Sequence, residues 1–284
     1  MKGMGTFVDE LDFLPAVPRH LVELILLLGQ PDASLERVVE IIRYDPALAA
    51  QVIRLCNSAR FGFETPVTDL EEAALRLGFD DILQLATALS AGSLLHPLRQ
   101  GCASVAREVW QHSVASALVG KLIAQERSES PSLVFTVCLL HDVGKMVFYR
   151  NVDIDYGAIW AHAKEKQTSL RAAETAALGF DHAQIGGRLL EKWGFPGEFV
   201  EAVRCHHAPL QARENRPLAA YACLASQMAW FMDFRSGLAA LDLSGRSEAL
   251  ELAGLEEEAM PHLMVRAYLM VREAAALVEL PLTA

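Results

Sequence analysis

The stretch Val137-Cys138-Leu139-Leu140-His141-Asp142-Val143-Gly144-Lys145 places an imidazole, a carboxylate and an ammonium directly after four apolar residues. The apolar residues predict the buried end of a helix, so the polar groups after them lie at the edge of a core. Adjacent His141 and Asp142 can both bind one metal ion, and Gly144 would let the backbone turn sharply afterwards. A helix end with an Asp and a packing His explains this stretch more simply, so the interpretation depends on donors elsewhere.

The composition limits the possible functions. With 284 residues, the chain exceeds the usual domain size and is expected to form one large or two medium units. The net charge of −11, without a basic stripe, argues against extensive contact with nucleic-acid phosphates. The five cysteines are odd in number and unclustered, which predicts buried free thiols in a reducing compartment.

The start of the chain lacks a basic segment followed by an apolar one, so no signal peptide is predicted. The longest apolar runs that we find, such as Leu24 to Leu28, are far shorter than the ~20 residues of a membrane helix. We therefore expect a soluble, cytoplasmic chain without a membrane segment.

Apolar residues recur at helical spacing throughout, and no run alternates strictly between apolar and polar residues. Three polar residues are placed to cap helices: Ser34, Asp45 before Pro46, and Asp181. Glycine and proline mark several predicted ends, such as Gly78. The pattern predicts an all-α fold, a bundle of many helices.

The first third of the chain resembles the HDOD output module of bacterial signalling proteins. The segments that carry the resemblance are Leu14 to Pro18, Asp45 to Ala49 continuing through Asn57 to Ala59, and Pro66 to Thr68 with Ala73 to Gly78. The resemblance implies a response-regulator output or scaffold role through signalling proteins as partners. It also implies three parts: an N-terminal helical subdomain at 1–100, an HD-like helical core at 101–235, and C-terminal helices at 236–284 packed on the core.

Five of the nine histidines stand at the ends or inner faces of four consecutive predicted helices: His112, His141, His182, His206 and His207. Each has a simple explanation alone, a satisfied core residue for His112 and a helix-dipole contact for the last pair. The turn at 128–131 would fold two helices antiparallel and bring His112 beside His141. Together with Asp142, the set predicts a metal site.

This set also resembles the HD phosphohydrolase superfamily, most closely its two-metal branch, which includes the HD-GYP phosphodiesterases. The resemblance implies that His112, His141, Asp142, His182, His206 and His207 bind one or two divalent ions. Histidine-rich ligands favour Fe, Mn, Co, Ni or Zn over Mg or Ca. In an active enzyme the metals would activate water, and Lys145 would contact the phosphate.

Two departures from the superfamily argue against catalysis. The further Asp that HD enzymes usually supply is replaced by Ser226, and Asp233 lies about 10 Å further along a helix. The Gly-Tyr-Pro turn of the cyclic-dinucleotide phosphodiesterases is also missing after His207. We therefore favour a non-catalytic signalling module with a degenerate metal site. The alternatives are a metal-dependent phosphohydrolase acting on a phosphate ester, and a metal-free core with hydrogen-bonded histidines.

Overall fold

A computed structural model describes residues 18–28, 30, 33–58, 61–94, 103–127, 129–150, 154–232 and 241–273. Of the described residues 77% are helical and none form a strand, which confirms the all-α prediction. In chain order the helices are α1 (Arg19–Leu27), α2 (Leu35–Arg43), α3 (Pro46–Cys56), α4 (Leu70–Leu77), α5 (Phe79–Leu94), α6 (Ala103–Arg127), α7 (Pro131–Leu140), α8 (Val143–Arg150), α9 (Tyr156–Glu165), α10 (Leu170–Leu178), α11 (His182–Lys192), α12 (Gly197–Cys205), α13 (Arg216–Phe231), α14 (Arg246–Ala253) and α15 (Met260–Glu273). The predictions on Leu14 to Val17, Ala59, His96, Cys102 and Asp233 fall outside the described residues.

Side-chain caps begin several helices where the sequence predicts them. The Ser34 hydroxyl accepts a hydrogen bond from the backbone N–H of Arg37, and Asp45 accepts two from the first turn of α3. Asp181 forms a capping box with Gln184, in which each side chain accepts from the other residue's backbone N–H. Each such cap stabilises its helix by about 1 kcal/mol, so these boundaries are determined locally.

The N-terminal helices gather around α5, which contacts α1 to α4 and also packs against α7. Buried hydrogen bonds cross the contact with α7: Gln84 donates to Ser132 at 3.1 Å, and Ser132 donates to Asp80 at 2.5 Å. These helices thus pack directly on the helix that precedes His141. The division into 1–100, 101–235 and 236–284 stays a prediction.

Helices α6 and α7 form the antiparallel pair that the turn at 128–131 predicts. They approach so closely that a Cβ at Gly120 would lie 2.5 Å from the Cys138 sulfur, while further along the pair the rings of His112 and His141 are 5.2 Å apart. Helix α13 packs on α6, α7 and α12, and α11 packs on α8 and α12. These packed helices carry every predicted metal ligand.

Gly144 serves close helix packing, so the prediction of a sharp turn there is wrong. It lies inside α8, and its φ is not in the left-handed region. A Cβ at Gly144 would lie 2.0 Å from the carbonyl oxygen of His182 and 2.7 Å from the backbone nitrogen of Gly186. Only glycine allows the start of α11 to come this close, and this approach brings His182 towards Asp142.

One stretch, Pro131–Tyr149, is 19 residues long and apolar enough by composition to cross a membrane, with a mean hydropathy of 1.4. Inspection of the sequence missed it because His141 and Asp142 interrupt the apolar residues. In the structure 94% of this stretch is buried inside the protein as α7 and α8, which fits a soluble protein. The described cysteines are buried free thiols, as predicted: Cys56, Cys138, Cys205 and Cys223.

Candidate metal centre

The structure brings all the predicted metal ligands to one place in the core. His112 comes from the middle of α6, and His141 and Asp142 form the junction between α7 and α8. His182 begins α11, and the paired histidines follow α12. His182 is only 2% exposed, although it stands at the start of its helix. The reason is the packing of that helix start on Gly144.

The ligands fall into two groups of three, and the donor atoms of each group lie within 4.8 Å of one another. The first triad is His112, His141 and Asp142, and the second triad is His182, His206 and His207. Asp142 faces both. Its Oδ2 lies 3.4 Å from Nε2 of His141 and 3.7 Å from Nε2 of His112, while its Oδ1 lies 3.3 Å from Nε2 of His182.

Hydrogen bonds at Nδ1 turn three of the rings so that Nε2 faces the centre. Nδ1 of His141 donates to the backbone oxygen of Cys138 at 2.6 Å, and Nδ1 of His206 donates to that of Val203 at 2.7 Å. Nδ1 of His182 lies 2.6 Å from a carboxylate oxygen of Glu174. Because these oxygens only accept, the proton is assigned to Nδ1, and Nε2 keeps its lone pair for a metal.

Two of these Nε2 atoms accept no hydrogen bond from the described part of the chain. Nε2 of His141 and Nε2 of His206 are buried and have no hydrogen-bond partner. A buried polar atom without a partner costs about 1–3 kcal/mol, so such atoms in a native core require an explanation. A divalent metal would bind both lone pairs, and the donor set therefore fits a metal centre.

Burial gives His141 and His206 the protonation state that a metal needs, whereas Glu174 raises the pKa of His182 despite its burial. Burial lowers the pKa of His141 to about 4 and that of His206 to about 3, so both rings are neutral at neutral pH. Burial alone would raise the pKa of Asp142, but the charge of His141 in the acid range where that ring is protonated, together with the Lys145 ammonium, outweighs burial and holds the pKa of Asp142 well below its usual range. Neutral imidazoles beside an ionised carboxylate are ready to bind a cation without first releasing protons.

Glu174 supports His182 from outside the centre, and the sequence analysis missed it. Its side chain is completely buried, and one oxygen accepts hydrogen bonds from Nδ1 of His182 at 2.6 Å and from the His182 backbone N–H at 2.8 Å. The other oxygen accepts from the Tyr156 hydroxyl. A signal was present: Glu174 lies four residues after Leu170 on the buried face of α10, where an acid is unexpected.

Ser226 and Lys145 both touch the first triad. The Ser226 hydroxyl lies 3.1 Å from Nε2 of His112, so a neutral side chain stands beside this triad where the HD resemblance expects a carboxylate. Lys145 is 5% exposed, and its ammonium contacts Oδ2 of Asp142 at 2.6 Å. The predicted contact of Lys145 with a phosphate stays a prediction.

The other described histidines lie apart from the centre. His162 and His262 are exposed, as expected for His162, and His20 pairs with Asp45 in the N-terminal helices at 3.2 Å. The five histidines chosen from the sequence are therefore the five that the structure gathers.

Together, these features define an all-helical protein with a buried histidine–aspartate centre between its core helices. The model of the HDOD domain family matches residues 14–209, more than half of the chain. The chain belongs to the HDOD domain family.

Three solved structures share the fold. An HDOD domain protein of unknown function from Geobacter sulfurreducens superposes with a TM-score of 0.82 at 21% identity, covering 97% of this chain and 96% of that one. A Shewanella amazonensis protein whose name proposes a phosphohydrolase superposes with a TM-score of 0.72 at 24% identity, covering 97% of both chains. A Marinobacter aquaeolei protein whose name proposes a signal transduction role superposes with a TM-score of 0.75 at 22% identity, covering 98% of this chain and 62% of that one.

A curated relative, an uncharacterized protein of Treponema pallidum, is 27% identical over 238 residues, which is 82% of this chain. The chain matches only 45% of that relative's length. The shared region is therefore a part of a longer protein in that case.

Proposed function

We propose that the protein is a signalling module of the HDOD type, which holds divalent metal at the two triads and acts through protein partners without hydrolysing a substrate. The observation that carries this proposal is the pair of buried, unpartnered Nε2 atoms of His141 and His206 next to a triad that has Ser226 in place of a carboxylate. The first feature supports metal binding, and the second argues against turnover.

The charge balance of the first triad supports a structural metal more than a catalytic one. Asp142 is its one carboxylate, and the Lys145 ammonium at 2.6 Å already pairs with the oxygen that faces His141. A neutral hydroxyl at Ser226 adds no negative charge to hold a second divalent cation close by. The ligand set keeps its nitrogen donors and Asp142, but at Ser226 it lacks the further anionic donor that the HD resemblance expects for metal-dependent hydrolysis.

The donors also indicate which metal is held. Five imidazoles and one carboxylate favour a transition metal, Fe, Mn, Co, Ni or Zn, as one or two ions. Such a metal would supply Lewis-acid activation if a substrate reached it.

A phosphohydrolase acting on a phosphate ester is the second candidate, because Asp142 faces both triads as a bridging ligand would. The second triad also has access to solvent, since His207 lines a cavity of about 750 Å³. In this candidate Lys145 leaves Asp142 to neutralise the phosphate.

Metal analysis followed by a turnover assay separates these functions. Protein purified without chelator is expected to contain at least one equivalent of transition metal and to leave a phosphoester panel, including bis-p-nitrophenyl phosphate, unchanged. Turnover that Asp142→Ala abolishes would establish the hydrolase instead. Metal well below one equivalent would support the third alternative, hydrogen-bonded core histidines without metal.

We further propose that the module works in the bacterial cytoplasm. The buried free thiols support a reducing compartment, and the name of the Marinobacter aquaeolei protein supports a signalling context. The net charge of −11 supports proteins rather than nucleic acid as partners.

A further inference from the structure

A segment outside the region matched by the family model packs directly on the second triad. This segment, residues 241–245, precedes α14 and ends at Gly245 with a φ of +73°. A Cβ at Gly245 would lie 2.9 Å from the carbonyl oxygen of His207 and 2.7 Å from Cδ of Pro209. The segment thus touches the backbone that carries the paired histidines.

Two side chains from different helices hold this segment in place. Arg171 of α10 donates to a carboxylate oxygen of Asp242 at 2.9 Å and to the Ser244 hydroxyl at 3.1 Å. Gln227 of α13 donates to the backbone oxygen of Asp242 at 3.2 Å. The Asp242 carboxylate also accepts the Ser244 backbone N–H at 2.9 Å. The position of the segment at 241–245 is therefore fixed by hydrogen bonds from two helices and by one within the segment itself.

The Asp242 carboxylate faces the outer nitrogen of His207. Its Oδ2 lies 3.7 Å from Nδ1 of His207, and the other ring nitrogen, Nε2, lies 3.0 Å from Nε2 of His182 inside the centre. Three other histidines of the centre already have an oxygen acceptor at Nδ1, at 2.6 to 2.7 Å. At 3.7 Å, Nδ1 of His207 forms no hydrogen bond with Asp242 in the structure, where Nε2 of His207 is hydrogen-bonded to Nε2 of His182; a metal that takes both Nε2 atoms would leave the His207 proton on Nδ1, facing Asp242.

We propose that Asp242 is the positioning residue of His207: it accepts the Nδ1–H and thereby directs Nε2 to the metal of the second triad. Metal-binding histidines usually donate their second N–H to a carboxylate or carbonyl. The inference rests on the proposed metal binding. It means that the segment at 241–245 supports the second triad from outside its three ligands.

The carboxylate also supplies charge that the second triad lacks. All three of its ligands are imidazoles, so a bound dication would have no anionic ligand other than the shared Asp142. Glu174 behind His182 and Asp242 behind His207 place two negative charges just outside the ligands. Outer carboxylates of this kind raise the basicity of the imidazoles that they contact.

The test compares Asp242→Asn with Ser244→Ala in the full chain. Ser244 belongs to the same segment and also bonds Arg171, whereas the ion pair of this segment with His207 is made by Asp242. Long-range ¹H–¹⁵N NMR spectra of the metal-free proteins read the tautomer of each histidine. Co²⁺ titration, followed by absorption and by the shifted N–H signals of bound histidines, measures the affinity of each triad.

We expect Asp242→Asn to change the His207 tautomer balance and to weaken Co²⁺ at the second triad by about 10- to 100-fold, leaving the first triad unchanged. Ser244→Ala should keep both readouts at wild-type values. If Asp242→Asn kept the wild-type tautomer balance and Co²⁺ affinity, the inference would be overturned and the proposed metal binding would stand. The same conclusion would follow if Ser244→Ala lost as much Co²⁺ affinity at the second triad as Asp242→Asn. A wild-type protein that binds no Co²⁺ would instead refute the proposed function together with this inference.

Discussion

The two triads use the same imidazole chemistry but carry their negative charge in opposite places. In the first triad the carboxylate of Asp142 is itself a donor, and the Lys145 ammonium contacts it at 2.6 Å. In the second triad every donor is an imidazole, and the carboxylates of Glu174 and Asp242 lie behind the rings. The first triad thus has charge within reach of a metal, and the second has charge that acts only through its ligands.

This difference shows how one core can hold two neighbouring sites whose carboxylates lie in different places. A donor carboxylate attracts a cation directly but is also attracted by any nearby ammonium, as Lys145 demonstrates. An outer carboxylate leaves the ligand positions to nitrogen and still favours the cation. Changes to the first triad, to the second triad and to their common elements should therefore have separable effects.

The largest effect is expected from Gly144→Ala, because Gly144 holds the two triads together. The new Cβ would lie 2.0 Å from the His182 carbonyl oxygen, which is backbone and cannot rotate away. Overpacking of this severity should lower the free energy of unfolding by about 3 kcal/mol or more and move His182 away from Asp142. Urea unfolding and Co²⁺ titration of the second triad measure the two consequences.

Gly157→Ala is the matched control. Gly157 also lies in a helix, but its nearest neighbour would be 3.4 Å from the new Cβ, an ordinary contact. The same change there should alter the free energy of unfolding by no more than about 1 kcal/mol. Equal stabilities of the two variants would show that α8 and α11 need not approach closely.

Asp142→Asn should weaken both triads at once, because Asp142 is the residue that faces both. The amide keeps the size of the side chain and removes the charge next to His141 and His182. We expect Co²⁺ affinity to fall by roughly 100-fold or more at each triad, because Asp142 is itself a donor and the loss of an outer residue alone already costs up to about 100-fold. Loss at one triad with wild-type affinity at the other would mean that Asp142 does not bridge them.

The sequence predicted the fold correctly and selected the side chains that gather in the core, because both patterns depend on local chemistry. Caps such as Ser34 and Asp45 act within one turn, and helical spacing of apolar residues needs no tertiary information. Five histidines at helix ends or on an inner helix face indicated the centre, because histidine in a core is unusual enough to be counted.

What the sequence could not predict depends on contacts between distant segments. Glu174 supports a histidine eight residues later, and Asp242 faces one that is 35 residues earlier, so no spacing rule connects them with the centre. Gly144 was expected to allow a turn, since its close neighbour at His182 belongs to another helix. Roles that arise from packing are visible only after the helices are assembled.

Glu174→Gln should weaken the second triad alone. The amide oxygen can still accept one hydrogen bond, but the negative charge behind His182 is lost. We expect Co²⁺ affinity at the second triad to fall by about 10- to 100-fold, with the first triad unchanged. Glu251→Gln, an exposed change on α14, provides the control. An equal loss at both triads would contradict the separation of charge described above.

Ser226→Asp should have the smallest effect and should act on the first triad alone. The hydroxyl lies 3.1 Å from Nε2 of His112, so a carboxylate at this position would face the metal site and add the anionic donor that the HD resemblance expects. The gain is limited, because the new charge also repels Asp142 when no metal is bound and offers Lys145 a second partner. We therefore expect about 10-fold tighter Co²⁺ binding at the first triad and no change at the second. Ser226→Asn has nearly the same shape without the charge and should bind Co²⁺ like the wild type. If both variants bind more tightly to the same extent, the site is limited by the number of donors rather than by charge, and the contrast between the triads would need a different physical explanation.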